Sequence, residues 1–143
     1  MKVDRTPKYR EGGKRMNQVL EVRPGLAGAA MAAGRVETLM LEGELSEQDL
    51  LELCDDLGRK LNRGTRQVVL DFGDVGHLNY RGVKPLMART DAFRRAGGDV
   101  KLSGLSPYLA AIFRAAGAHD CFEIYPHMND ARAAFALARA PFV

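Results

Sequence analysis

The sequence predicts a single α/β domain built on a mixed, mostly parallel sheet of about five strands with about four helices. Three observations carry this. After an initial pair of strand patterns, short apolar runs alternate with amphipathic stretches at helical spacing, the signature of parallel strands joined by crossover helices. The helical stretches carry their own start and stop residues. At 143 residues, with 46% hydrophobic residues, the chain suits one core.

Asn17 to Arg23 alternates enough to form a first strand, which Pro24-Gly25 ends. Leu26 to Ala33 is either part of a long loop or a helical turn or two, since alanine favours helix. Arg35 to Glu42 resumes a strand pattern through Val36, Leu39 and Leu41, so the first two strands are expected to pair as a hairpin. Ser46 with Asp49 three residues on resembles a capping box, and Leu50, Leu53, Cys54, Leu57 and Leu61 follow at helical spacing before Gly64 stops the helix. Cys54 lies on that apolar stripe and reads as a packed core residue.

Gln67 to Ala96 organises the rest of the chain. A short apolar strand, Val68 to Phe72, is followed by a glycine-bearing turn, Gly73 to Gly76, and by a helix entered near Tyr80 to Gly82. A buried strand that feeds a helix leaves the first helical turn at the surface, where partners reach it. Pro85 is tolerated in that first turn. Val83, Leu86, Met87, Thr90 and Phe93 make the buried face, with Arg89, Arg94 and Arg95 solvated. Gly97-Gly98 leads into a strand over Val100 to Gly104. Ser106-Pro107 starts a short helix that ends at Gly117, Cys121 to Tyr125 is a fifth strand, and Asn129 caps a terminal helix carrying Ala133, Phe135, Leu137 and Ala138.

The formal net charge of +3 belongs to the start of the chain, where Lys2, Arg5, Lys8, Arg10, Lys14 and Arg15 face only Asp4 and Glu11. Residues 1–15 are therefore expected to be a basic, flexible leader ahead of a domain over 16–143. With no tryptophan and no aromatics interleaved with a basic stripe, nucleic-acid recognition is only weakly supported, and none is expected. Two distant cysteines, Cys54 and Cys121, fit a reducing cytosol. Leu26 to Gly34 is too short and too weakly apolar for a signal peptide, and no apolar run approaches the roughly 20 residues of a membrane span. A cytoplasmic protein without membrane insertion is expected.

Catalytic motifs are absent from the sequence. His77, His119 and His127 lack metal-ligand spacing, no nucleophile elbow or Walker loop is present, and Gly73 to Gly76 is too short for a dinucleotide fingerprint. Glu42 and Glu44, two acids beside a strand end, read as a general acid and base or, more commonly at that spacing, as merely exposed; Asp71 and Asp74 admit the same two readings, and aspartate after a strand commonly shapes a turn. No enzyme, cofactor or metal is expected.

Leu41-Glu42-Gly43-Glu44-Leu45, Val68 to Phe72, Gly82-Val83 opening a helix, Ala96-Gly97-Gly98-Asp99-Val100 and Leu105-Ser106-Pro107 occur in an order and spacing that resembles the STAS domain family, the anti-sigma factor antagonists and their relatives. The similarity runs from about Val36 through Ala138. The resemblance implies a bacterial protein-binding module. In antagonists of this family the loop before the second helix carries Asp-Ser-Ser/Thr-Gly, and a partner kinase that is also an anti-sigma factor phosphorylates the hydroxyl just before the glycine. The matching residues here are Asn79-Tyr80-Arg81-Gly82, so Arg81 stands at the phosphoacceptor position and no acceptor is expected at that site. Tyr80 has a hydroxyl, one position early.

Two readings of this loop remain. In one it has drifted, with Asn79 capping the helix and Arg81 solvated. In the other it is a permanent docking surface, since tyrosine and arginine concentrate binding energy at interfaces. The resemblance brings the Gly43 to Ser46 loop to the same face, with Glu42 and Glu44 beside Arg81. The candidate partner-binding residues are Glu44, Ser46, His77, Asn79, Tyr80, Arg81, Gly82 and Lys84. The expected partner is an anti-sigma factor or kinase-like ATPase, or another STAS protein, and a homodimer stays open. The alternatives are an accessory subunit of a membrane lipid ABC transporter and a small-molecule or nucleotide sensor that uses the helix start at Gly82 as an anion seat.

Overall fold

The computed structural model describes residues 9–12 and 35–139. In chain order it contains β1 (Tyr9–Gly12), β2 (Val36–Leu45), α1 (Glu47–Asn62), β3 (Gln67–Leu78), a 3-10 turn (Tyr80–Gly82), α2 (Val83–Arg95), β4 (Asp99–Ser103), α3 (Pro107–Ala115), a second 3-10 turn (His119–Cys121), β5 (Ile124–Tyr125) and α4 (Met128–Arg139). The five strands lie in the order β1-β2-β3-β4-β5. β2 through β5 run parallel, and β1 pairs antiparallel with β2 at one edge. The expected mixed, mostly parallel sheet is therefore present, with four helices.

Alternation along the strands splits the core in two. Leu39 and Leu41 of β2, Val68, Leu70 and Phe72 of β3, and Val100 and Leu102 of β4 pack with Leu50, Leu53 and Leu57 of α1, Leu86 and Phe93 of α2, and Leu109 and Phe113 of α3. Phe113 sits edge-on to both Phe72 and Phe122, with ring centroids 5.8 and 5.6 Å apart. Val69 faces the other way and meets Ala131 and Phe135 of α4. Full burial of one such leucine or phenylalanine stabilises by about 1.5–3 kcal/mol, so the thicker core holds the face that bears α1, α2 and α3.

Several expected boundaries move. The strand at Asn17 to Arg23 and the stretch Leu26 to Ala33 lie outside the described residues, and the strand antiparallel to β2 comes instead from Tyr9–Gly12, inside the stretch assigned to a leader. Those four residues carry no apolar alternation, which is why no strand was expected there. β2 continues to Leu45, and β3 runs through the supposed glycine turn to Leu78. Register shifts between Met40 and Glu42 and between Gly43 and Glu44 space the later inward residues of β3 three apart, at Phe72, Val75 and Leu78, so the period-two signal fails there. Asp71 is consequently a strand residue that accepts the Ser103 hydroxyl at 2.8 Å, not a turn former. α4 begins at Met128, so Asn129 lies inside it and does not cap it. Arg89 is half-buried, with its guanidinium lying over Gly58 of α1 where a Cβ would come within 2.9 Å of its Cζ.

On the α4 face Lys101 is almost fully enclosed, its side chain 5% exposed. Its ammonium lies 2.6 Å from Glu123 Oε1, 3.2 Å from Asp99 Oδ2 and 4.5 Å from the centre of the Phe135 ring. The hydrogen bond from Lys101, with a second from Tyr125, holds the Glu123 carboxyl below its usual range. A depressed carboxylate contributes stability that is complete above the unfolded value and is lost as pH falls through the folded one. The stability difference between the native chain and Glu123→Gln, measured by denaturant melts, is therefore expected to be full above pH 4.5 and to fade below it.

Burial pushes the Cys54 thiol up to about 11, although the nearby Arg89 acts in the opposite direction. Cys121 is only half-buried. In native protein at neutral pH a thiol reagent is expected to modify Cys121 first, with Cys54 reacting only at the rate of opening; equal rates in a time course read by mass spectrometry would contradict this packing.

Candidate functional site

The C-terminal ends of the parallel strands bring the candidate residues to one end of the sheet. β2 ends at Leu45 directly opposite Leu78, the last residue of β3, and the Asn79 N–H donates to the Leu45 carbonyl at 2.9 Å. The chain leaves β2 into α1 and β3 into the 3-10 turn from adjacent points. Parallel strands place their outgoing connections at one end of the sheet, where sites in layered α/β folds are built.

The start of α1 follows local rules closely. The Ser46 hydroxyl accepts from the Asp49 N–H at 3.0 Å, and Asp49 Oδ2 accepts from the Ser46 N–H at 2.9 Å. This is the expected capping box, and Glu47 and Asp49 place negative charge at the positive end of the helix dipole. Ser46 is exposed, but its hydroxyl is engaged in the cap.

The start of α2 obeys different rules. The Asn79 side chain caps the 3-10 turn, its Oδ1 accepting from the Arg81 N–H at 2.9 Å. Gly82 is buried against α1, where an added Cβ would lie 2.6 Å from Leu50 Cβ. Glycine is required there because that Leu50 atom is fixed to the α1 backbone and cannot swing aside. The first turn of α2 holds no acid, and Gly82 offers no side-chain cap. Exposed Arg81 and Lys84 instead add two cations beside the positive end of the dipole.

Tyr80 is 57% exposed on the outer side of the 3-10 turn. Glu44 and His77 are exposed and face each other across β2 and β3, whereas Glu42 stands opposite Asp74. Glu42 and Glu44, the acids expected beside Arg81, stand in register opposite Asp74 and His77 of β3. Glu44, Ser46, His77, Asn79, Tyr80, Arg81, Gly82 and Lys84 all occupy this end of the sheet or the helix starts that leave it; Gly82 is buried and Asn79 half-buried, and the others except Ser46 present side chains outward without a capping role.

One residue was missed by the sequence reading. Tyr108, second in α3 and 53% exposed, lies with its hydroxyl 2.7 Å from His77 Nδ1 and its ring centroid 5.8 Å from the imidazole. Its only sequence signal was its place beside the helix-starting Ser106-Pro107, which says nothing of a neighbour 31 residues away. Among the described residues Tyr80 and Tyr108 are the large hydrophobics that stand exposed. No group of three or more His, Cys, Asp or Glu among those residues is arranged to hold a metal ion, and no helix among them is long and apolar enough to cross a membrane.

Gly82→Ala is expected to destabilise the chain by about 1–3 kcal/mol, since Leu50 and with it α1 must move to admit the methyl group. Chemical denaturation measures this, and a loss no larger than that of an exposed substitution such as Asp91→Ala would show that the 3-10 turn can lift away at no cost.

Comparison with known proteins gives a consistent result. The STAS domain model matches residues 30–131. The chain is 26% identical over 98 residues to the Bordetella bronchiseptica protein BtrV, which carries the name of an anti-sigma factor antagonist; the match covers 68% of this chain and 84% of that one. Among solved structures, the Thermotoga maritima protein TM1081 superposes with a TM-score of 0.64 at 17% identity over 71% of this chain and 87% of its own. The Bacillus cell fate determinant SpoIIAA in its phosphorylated form gives 0.56 at 15% identity over 73% and 91%. At such identities the structural likenesses speak for the fold.

Proposed function

Since the chain belongs to the STAS domain family, we propose that it acts in the cytoplasm as a non-catalytic docking module, binding an anti-sigma factor or kinase-like ATPase without being phosphorylated at the usual position. That the chain is anti-sigma factor antagonist-like rests on the family match and on BtrV, and this kinship implies a protein partner. The finer reading rests chiefly on Arg81. It stands exposed on the 3-10 turn, its backbone N–H held by Asn79, at the position where the resemblance expects a phosphoacceptor hydroxyl.

The physical consequence is a change of sign. A phosphoryl group at a helix start adds close to two negative charges and is stabilised by the dipole; a guanidinium cannot accept that group and carries the opposite charge. Binding at this surface is then constitutive, controlled by the amounts of the two proteins. Tyr80 and Arg81 supply an aromatic and a planar cation, residue types that dominate interface energetics.

Two measurements test the proposal. Tyr80→Ala combined with Arg81→Glu is expected to abolish partner binding with no loss of melting temperature, because both side chains are exposed and a carboxylate suits a helix start better than a guanidinium; unaltered binding would remove this surface from consideration. Incubation with the partner kinase and labelled ATP is expected to leave the native chain unlabelled. Phosphate on the peptide containing residues 79–82, in material from cells or from that reaction, would overturn the constitutive reading.

A further inference from the structure

The His77–Tyr108 pair has no part in the core. Both side chains are exposed, they come from β3 and α3, and a 2.7 Å contact between Nδ1 and the phenol oxygen holds them together. An exposed tyrosine ordinarily samples several rotamers, and ordering one at an interface costs about 0.5–1.5 kcal/mol. Here much of that ordering is already present in the free chain. Tyr108 and Tyr80 occupy neighbouring elements, since α3 packs against β3 and the 3-10 turn, and both follow the C-terminal ends of parallel strands.

The charges beside this aromatic pair are equally informative. α1 has acids in its first turn, as its dipole favours, whereas α2 has none and is flanked by exposed Arg81 and Lys84. Each such cation costs a helix start about 0.3–1 kcal/mol, a cost that carboxylates from another molecule would offset. We propose that His77 and Tyr108 extend the docking surface from the start of α2 onto α3, with Tyr108 as a second aromatic anchor for a folded protein that presents carboxylates to Arg81 and Lys84. The inference rests on the docking reading above and adds to it a second anchor, a positioning residue and the charge of the partner's surface. His77 acts through Tyr108 by holding its ring in place.

The experiment replaces Tyr80, Tyr108 or, as a control at the far end of α2, Asp91 with a photocrosslinking phenylalanine analogue in the full chain, in the cells that make it. Positions 80 and 108 are expected to yield the same adduct and position 91 none. With that partner purified, Tyr108→Ala is expected to weaken binding about tenfold or more. Tyr108→Phe keeps the ring but loses the contact to His77, and His77→Ala loses it from the other side; each is expected to weaken binding about two- to fivefold. Binding is expected to weaken as salt rises. An adduct at 80 but not at 108, or unchanged affinity for Tyr108→Ala with an unchanged melt, overturns the second anchor and leaves the docking reading standing. Adducts at neither position remove both. Adducts that prove to be a second copy of this chain, or binding indifferent to salt, overturn the assignment of an acidic partner.

Discussion

The close approach of Gly82 to Leu50 governs the rest of this structure. Leu50 is fully buried in the larger core, one turn into α1, and the backbone at Gly82 lies against it with no room for a side chain. That contact ties the start of α2 to the start of α1, so the direction in which Tyr80, Arg81 and Lys84 project is set by helix packing and not by loop conformation. Behind it, Leu45 and Leu78 end their strands side by side and the Asn79 N–H closes onto the Leu45 carbonyl. A rigid, mostly apolar base therefore carries a polar, aromatic rim.

The two helix starts on this rim obey different local rules. α1 satisfies its free amides with Ser46 and Asp49 and complements its dipole with acids. α2 is preceded by a capped 3-10 turn but carries cations where acids would stabilise it. Local rules broken beside intact ones are expected where a surface is shaped for contact with another molecule. The acids Glu42, Glu44 and Asp74 lie along the β2 and β3 ends, so this end of the sheet carries both signs of charge. Such an arrangement favours orientation and partner choice over raw affinity.

What could be read from the sequence depended on whether a signal was local. The capping box at Ser46, the apolar stripe of α1 and the glycine at the head of α2 announce themselves within a few residues, and each stands where expected. The second half of β3 did not, because Gly73, Asp74 and Gly76 have turn chemistry and are kept extended by pairing with a β2 that shifts register twice. The strand at Tyr9–Gly12 is held by backbone pairing and lacks an apolar pattern. Arg89 looked solvated because nothing nearby in the sequence reveals the missing side chain at Gly58 that admits its guanidinium. Of the candidate surface, the residues contiguous with the Asn79 to Gly82 motif were legible, while Tyr108 joins it only through tertiary contact with His77.

The unequal division of the core has a bearing on how the molecule comes apart. α4 rests on a small apolar cluster of Val69, Ala131 and Phe135, steadied by Arg132 reaching Thr38 Oγ1 at 2.7 Å and by the enclosed Lys101. The opposite layer interlocks three helices. Among the described helices α4 is thus the one held by the smaller apolar cluster, and its undocking would leave the rim at the starts of α1 and α2 assembled. Partial unfolding and disruption of the candidate surface are separable events in such a protein.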